Sequence, residues 1–250
     1  MMRRSPGLRR GVTLMELIVA MSLLGLLSVG ILMALRIGLS AMEKTSTRMN
    51  LNRRVTGVHR ILDNQIAGII PALATCGASN GMKAIVFEGQ PTMMRLVSSY
   101  SLAEAARGYP RLVEYLVIPD EKGEGVRLVV NEPYYNGPAT FQNICAGMAP
   151  LANGGLAIRL APPQLSQNTF ILADQLARCQ FSYQREVPGT SRREWVPVWR
   201  DKGLPTAIRF DMAALRPDPS RAQFRTLTLP VRVNRDPFLP YEDYEQPPKQ

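Results

Sequence analysis

The chain has 250 residues, enough for one sizeable domain and an extension, and carries 30 Lys+Arg against 20 Asp+Glu. Four of the basic residues (Arg3, Arg4, Arg9 and Arg10) sit in the first ten positions, and without them 26 cations face 20 anions. That excess is scattered, with no run of five like charges and no basic patch interleaved with aromatics, which argues against a nucleic-acid-binding protein. The single histidine, His59, excludes a multi-histidine metal site and leaves a Ser-His-Asp triad poorly supplied.

Along the chain the strongest pattern comes first. Leu17 to Leu35 contains no charged residue. As a helix rising ~1.5 Å per residue it spans roughly 28 Å, close to the hydrocarbon thickness of a bilayer. Basic residues precede it, which predicts a cytoplasmic N-terminus and an exported remainder. A secretory signal peptide shares the basic-then-apolar order, but its apolar core is shorter. Glu16 stands at the start of the apolar run. A carboxylate in the membrane costs about 2–3 kcal/mol even on lenient scales, so it calls for a partner.

The stretch Gly11-Val12-Thr13-Leu14-Met15-Glu16-Leu17-Ile18 resembles the class III signal of type IV prepilins and type II secretion pseudopilins. The resemblance implies cleavage after Gly11 by a prepilin peptidase and methylation of the new N-terminal amine on Val12. It also implies that Glu16, flanked by Thr13 and Leu14, pairs with the free amine of a neighbouring subunit during assembly. Val12 departs from the family, which more often has Phe or Met there.

Beyond the span, Met42, Thr45, Met49, Val55, Val58, Leu62, Ile66 and Ile69 keep three-to-four spacing, with Arg48, Arg53, Arg54, Arg60 and Asp63 between them. This predicts that the helix continues amphipathically over 41–71 and stops at Pro71. His59 belongs to one of its faces. Residues 72–233 then read as a β-rich head, with strands near 83–89, 92–99, 112–118, 126–131, 155–160, 169–173, 176–185, 194–199, 205–213 and 224–233. Ser101 and Glu104 have capping-box spacing, predicting a two-turn helix closed by Gly108. Residues 234–250, rich in Pro, Asp, Glu and Tyr, read as a flexible tail. The expected fold is α+β: a long helix, transmembrane then amphipathic, packed on an antiparallel sheet in the manner of pilins.

The three cysteines fit neither a zinc motif nor a CxxC pair. Cys179 shares a strand face with Phe181 and Tyr183 and reads as a small core residue. Cys76 and Cys145, in polar glycine-containing segments, are the candidate disulfide if the head is exported, although connectivity is not readable from sequence. Gly77-Ala78-Ser79-Asn80-Gly81 satisfies the GxSxG pattern, but the helix precedes it and a strand follows, the reverse of a nucleophile elbow. Asp120, Glu121 and Glu124, and Glu242, Asp243 and Glu245, lack EF-hand spacing and read as solvated loops. Trp195 and Trp199 are expected to pack on one face of a strand. The sequence offers no catalytic group, cofactor site or metal site.

A looser likeness extends into the head. Phe87-Glu88-Gly89, Met94-Arg95-Leu96-Val97-Ser98, Leu112-Val113-Glu114-Tyr115, Cys179-Gln180-Phe181-Ser182-Tyr183, Glu194-Trp195-Val196-Pro197-Val198-Trp199 and Leu204-Pro205-Thr206-Ala207-Ile208-Arg209-Phe210 succeed one another as in the minor pseudopilin J family of type II secretion systems. This implies a non-catalytic inner-membrane subunit with a periplasmic head. Its implied partners are I-, K- and H-like minor pseudopilins and the major pseudopilin. A minor pilin of a type IV or DNA-uptake pilus shares the N-terminus, and a signal-anchored periplasmic enzyme is the rival from another class.

Overall fold

The computed structural model describes residues 11–76, 82–121, 123–150, 156–218 and 222–233. The basic leader, the GxSxG stretch and the acidic tail lie outside them. The chain divides into two units after Leu51.

One helix, α1 (Leu14–Ala67, 54 residues), contributes to both. In the first unit it begins where Thr13 can cap it. The Thr13 hydroxyl accepts from the Glu16 N–H at 3.3 Å, and the Thr13 carbonyl accepts from Leu17 N at 3.2 Å. The described side chains of residues 11–50 are exposed. The helix is long and apolar enough to cross a membrane. Its interior hydroxyls turn back onto the backbone: Ser22 donates to the Val19 carbonyl, Ser28 to Leu24 and Ser40 to Ile37, at 2.8–2.9 Å. That satisfies each hydroxyl without water, which an apolar surrounding requires.

In the second unit the end of α1 carries the predicted stripe. Val55, Val58, Leu62 and Ile66 are buried, the last three in one core with side chains of a sheet. Each such side chain contributes about 1.5–3 kcal/mol on burial. The helix stops at Ala67, and Ile69 makes a β-bridge to Ser98. Gly68 is needed here, because a Cβ would lie 2.8 Å from the Ser98 hydroxyl.

The strands are β1 (Leu73–Cys76), β2 (Met82–Ile85), β3 (Phe87–Gly89), β4 (Met93–Ser101), β5 (Ala106–Pro119), β6 (Val126–Asn131), β7 (Cys145–Pro150), β8 (Leu156–Leu160), β9 (Phe170–Glu186), β10 (Arg193–Val196), β11 (Ala207–Ala214) and β12 (Leu227–Pro230). Eight form an antiparallel sheet in the order β12-β11-β9-β6-β5-β4-β3, with β10 also paired to β9. Period-two alternation sorts their side chains. Met94, Leu96, Val113 and Tyr115 join the helix in the main core. Val97 and Leu112 point the other way, into a second cluster with Ala74 of β1, Phe141 and Leu160. That second layer consists of the β1–β2 and β7–β8 hairpins and a 3-10 turn, Pro138–Ile144. The molecule is thus α+β, with a mainly antiparallel sheet.

Several local expectations are corrected. No helix forms at Ser101–Gly108; β4 and β5 meet there in a hairpin, and Gly108 lies in β5. The Glu104 N–H does donate to the Ser101 hydroxyl at 3.3 Å, as a capping box demands. However, Ala105 adopts φ 50°, and the Glu132 carboxylate takes the N–H groups of Leu102 and Ala103, so tertiary contacts turn the chain into a strand. The predicted strand 83–89 is two strands in different sheets, and 169–173 with 176–185 is a single strand bent at Gln175, φ 52°. The helix ends before 71, and β1 and β7 lie where the sequence pattern predicts no strand.

Candidate functional site

The segment from Gly11 to Glu16 has a clear local geometry. Gly11 and Val12 lie outside the helix, and Val12 is 73% exposed. Among the described residues beyond its chain neighbours, none comes within 4 Å of where a Gly11 Cβ would stand. The bond after Gly11 thus lies ahead of the first helical residue, Leu14. Thr13 occupies the N-cap, Leu14 opens the helix and Glu16 sits at its third position. A carboxylate there faces the positive end of the helix dipole, an interaction of about 0.3–1 kcal/mol at an exposed site. The Thr13-x-x-Glu16 pair has capping-box spacing, a local signal that the sequence reading passed over. Glu16 thus favours helix initiation in the single chain, and its side chain is exposed.

Cys76 and Cys145 are bonded, with Cα atoms 5.8 Å apart and a sequence separation of 69. Closing a loop of that length stabilises the folded state by about 4 kcal/mol in the chain-entropy account. The bond ties the end of β1 to the start of β7. Cys179 is free and buried beside Phe181 and Tyr183. Burial pushes its thiol up to about 12, so it stays protonated and inert.

Two buried polar groupings escaped the sequence reading. Arg95 on β4, 1% exposed, donates Nε to Glu114 at 2.8 Å, one terminal nitrogen to Glu88 at 3.0 Å, and the other to the Ala161 carbonyl at 2.9 Å. It thereby fastens the covering segment to the sheet. Burial raises the Glu88 pKa, while Arg95 works in the opposite direction. On the helix side Gln65, fully buried, takes the Tyr115 hydroxyl and donates to Glu132 at 2.5 Å; its carbonyl accepts from Ser98 at 2.8 Å. Burial raises the Tyr115 pKa well above its usual value. This network fixes the rotation and height of the helix on the sheet. Its only sequence trace is a glutamine within an apolar stripe.

Other singled-out residues find structural places. His59 is half-buried, edge-on to Phe224 at 6.4 Å, and burial lowers its pKa. Arg127 pairs with Asp120 and, at 2.7 Å, with Glu121; Arg216 meets Glu124 at 3.4 Å. No cluster of three metal-binding side chains occurs among the described residues. The two tryptophans do not share a strand face: Trp195 lies in β10 under the Arg209 guanidinium at 3.8 Å. Trp199 lies beyond β10, packed on Phe87 and Tyr183. Pairing of β10 ends at Val196, with Pro197 immediately after it, which separates the two.

The chain matches no family model, no curated protein and no solved structure.

Proposed function

We propose that this chain is a minor pseudopilin of a type II secretion system: a pilin-like, non-catalytic subunit that assembles at or near the tip of a periplasmic pseudopilus. The observation that carries this reading is α1 itself. From Leu17 to Leu35 it is exposed and free of charge, and its last turns join the core of a β-rich head. An enzyme anchor needs only the first property. A filament subunit needs both, because one half packs against other subunits and the other organises the head.

On this reading the N-terminus is cytoplasmic, the span lies in the inner membrane and the head lies in the periplasm. Prepilin peptidase cuts after Gly11 and Val12 is N-methylated. Glu16 pairs with a neighbour's N-terminal amine, since a carboxylate and an ammonium that enter lipid together neutralise one another. The partners are I-, K- and H-like minor pseudopilins and the major pseudopilin. The Cys76–Cys145 bond agrees with an oxidising compartment.

The test compares culture-medium proteomes of a deletion strain, its parent and a complemented strain at matched growth, together with the intact mass of the chain. Loss and restoration of a set of secreted proteins, with a mass lacking residues 1–11 and one added methyl, is expected. An unchanged secretome with the processed mass would turn the assignment to a minor pilin. A mass retaining residues 1–11 would turn it to an anchored protein of another kind.

A further inference from the structure

Cys76 and Cys145 are the first and second cysteines of the chain, and Cys179 is the third. The bond closes between the two consecutive ones. The third lies 3% exposed in the main core, between sheet and helix, where it has no route to a partner once the sheet has formed. Its protonated state, set by burial, also removes the thiolate that exchange requires. The bonded pair belongs to the other face. Cys76 closes β1, Cys145 opens β7, and between them runs the chain that supplies Val97, Leu112 and Phe141 to the second cluster.

We propose that the head is a client of a dithiol-oxidising reaction that joins Cys76 to Cys145 directly, with no later disulfide rearrangement, and that this bond secures the second layer over the Arg95 face of the sheet. One cysteine thiolate attacks a disulfide oxidant, giving a mixed disulfide and one oxidant thiol. The other cysteine thiolate then attacks the mixed disulfide. The Cys76–Cys145 bond forms, the oxidant leaves as a dithiol, and two electrons and two protons pass from the head to it. Because consecutive cysteines pair, an oxidant acting as the chain emerges makes the native bond first. Of the function proposed above, this requires only that the head be exported, and not that the chain serve secretion.

The test counts thiols in the full-length chain, in membranes of producing cells, acid-quenched and denatured with a polymer-tagged maleimide. One tag is expected without prior reduction and three after it. Cys179→Ser should show none without reduction, and Cys145→Ser should show two. Removing the envelope dithiol oxidase should give three tags, while removing the disulfide isomerase should still give one. Three tags in the parent, or any unreduced tag on Cys179→Ser, would overturn the pairing. Loss of the bond without the isomerase would overturn the direct route. For the second layer, reduction of the purified full-length chain in detergent should speed amide exchange in β1, residues 138–144, β7 and β8, leaving β4, β5 and β9 protected. A uniform rise across the sheet would overturn that part. An altered or unaltered secretome affects none of these outcomes.

Discussion

Replacing Arg95 by Met separates charge from packing. The methionine keeps much of the buried stem, so the main loss is the guanidinium. Three hydrogen bonds of 2.8–3.0 Å disappear, and Glu114, 9% exposed at its side chain, and Glu88, 27% exposed, face each other without a cation. Breaking a buried pair from one side costs about 3–5 kcal/mol. At roughly 2–4 °C per kcal/mol for a domain of this size, the midpoint should fall by about 10 °C. The pH dependence gives the diagnostic. Burial already raises the Glu88 pKa above its unfolded value, and Arg95 opposes that rise. Without Arg95 the folded pKa goes higher still. A carboxyl with a raised folded pKa binds its proton more tightly when folded. The stability it lends is therefore present at low pH and lost as pH rises through the folded pKa. The deficit of Arg95→Met should thus be largest near neutrality and shrink towards about pH 4.5. Urea unfolding of the full chain in detergent, followed by tryptophan fluorescence at several pH values, measures it. A loss under about 1 kcal/mol at neutral pH, or one equal at all pH values, would refute the reasoning. Adding Glu114→Gln to the variant should recover part of the loss.

Leu62→Ala, at a fully buried position on the helix face, should cost about 2–5 kcal/mol in the same unfolding assay. Tyr115→Phe leaves the buried Gln65 side chain short of one partner and should cost about 1–3 kcal/mol; a neutral result would remove that bond from the docking network. Gly125→Ala should destabilise strongly: φ is +79°, and a Cβ would stand 2.4 Å from the Leu176 carbonyl, so no side-chain adjustment relieves it. Glu16→Ala should enter the membrane normally yet co-purify with partner pseudopilins at least about tenfold less, a factor that corresponds to ~1.4 kcal/mol. Undiminished co-purification would sink the assembly role.

What the sequence determined by itself are the features set by neighbours along the chain. The charge-free run from Leu17 to Leu35 fixes a helix able to span a bilayer, because length and hydropathy are sums over local residues. The three-to-four spacing of Val55, Val58, Leu62 and Ile66 predicts which face is buried, and alternation in β4 and β5 separates Met94 and Leu96 from Arg95 and Val97. The start of α1 is local for the same reason, since the Thr13 cap and Glu16 in the first turn are set by spacing along the chain.

The tertiary structure decided what depends on residues far apart in sequence. Ser101 and Glu104 carry a helix-start pattern, yet Glu132, 28 residues beyond Glu104, binds the Leu102 and Ala103 amides and makes a hairpin instead. Arg95 reads as a surface cation until Glu88, Glu114 and the Ala161 carbonyl close round it. Gln65 reads as an interruption in an apolar stripe until Tyr115 and Glu132 meet it. Burial converts such a group from a solvated side chain into one that must find partners, and those partners come from strands whose order no local pattern specifies.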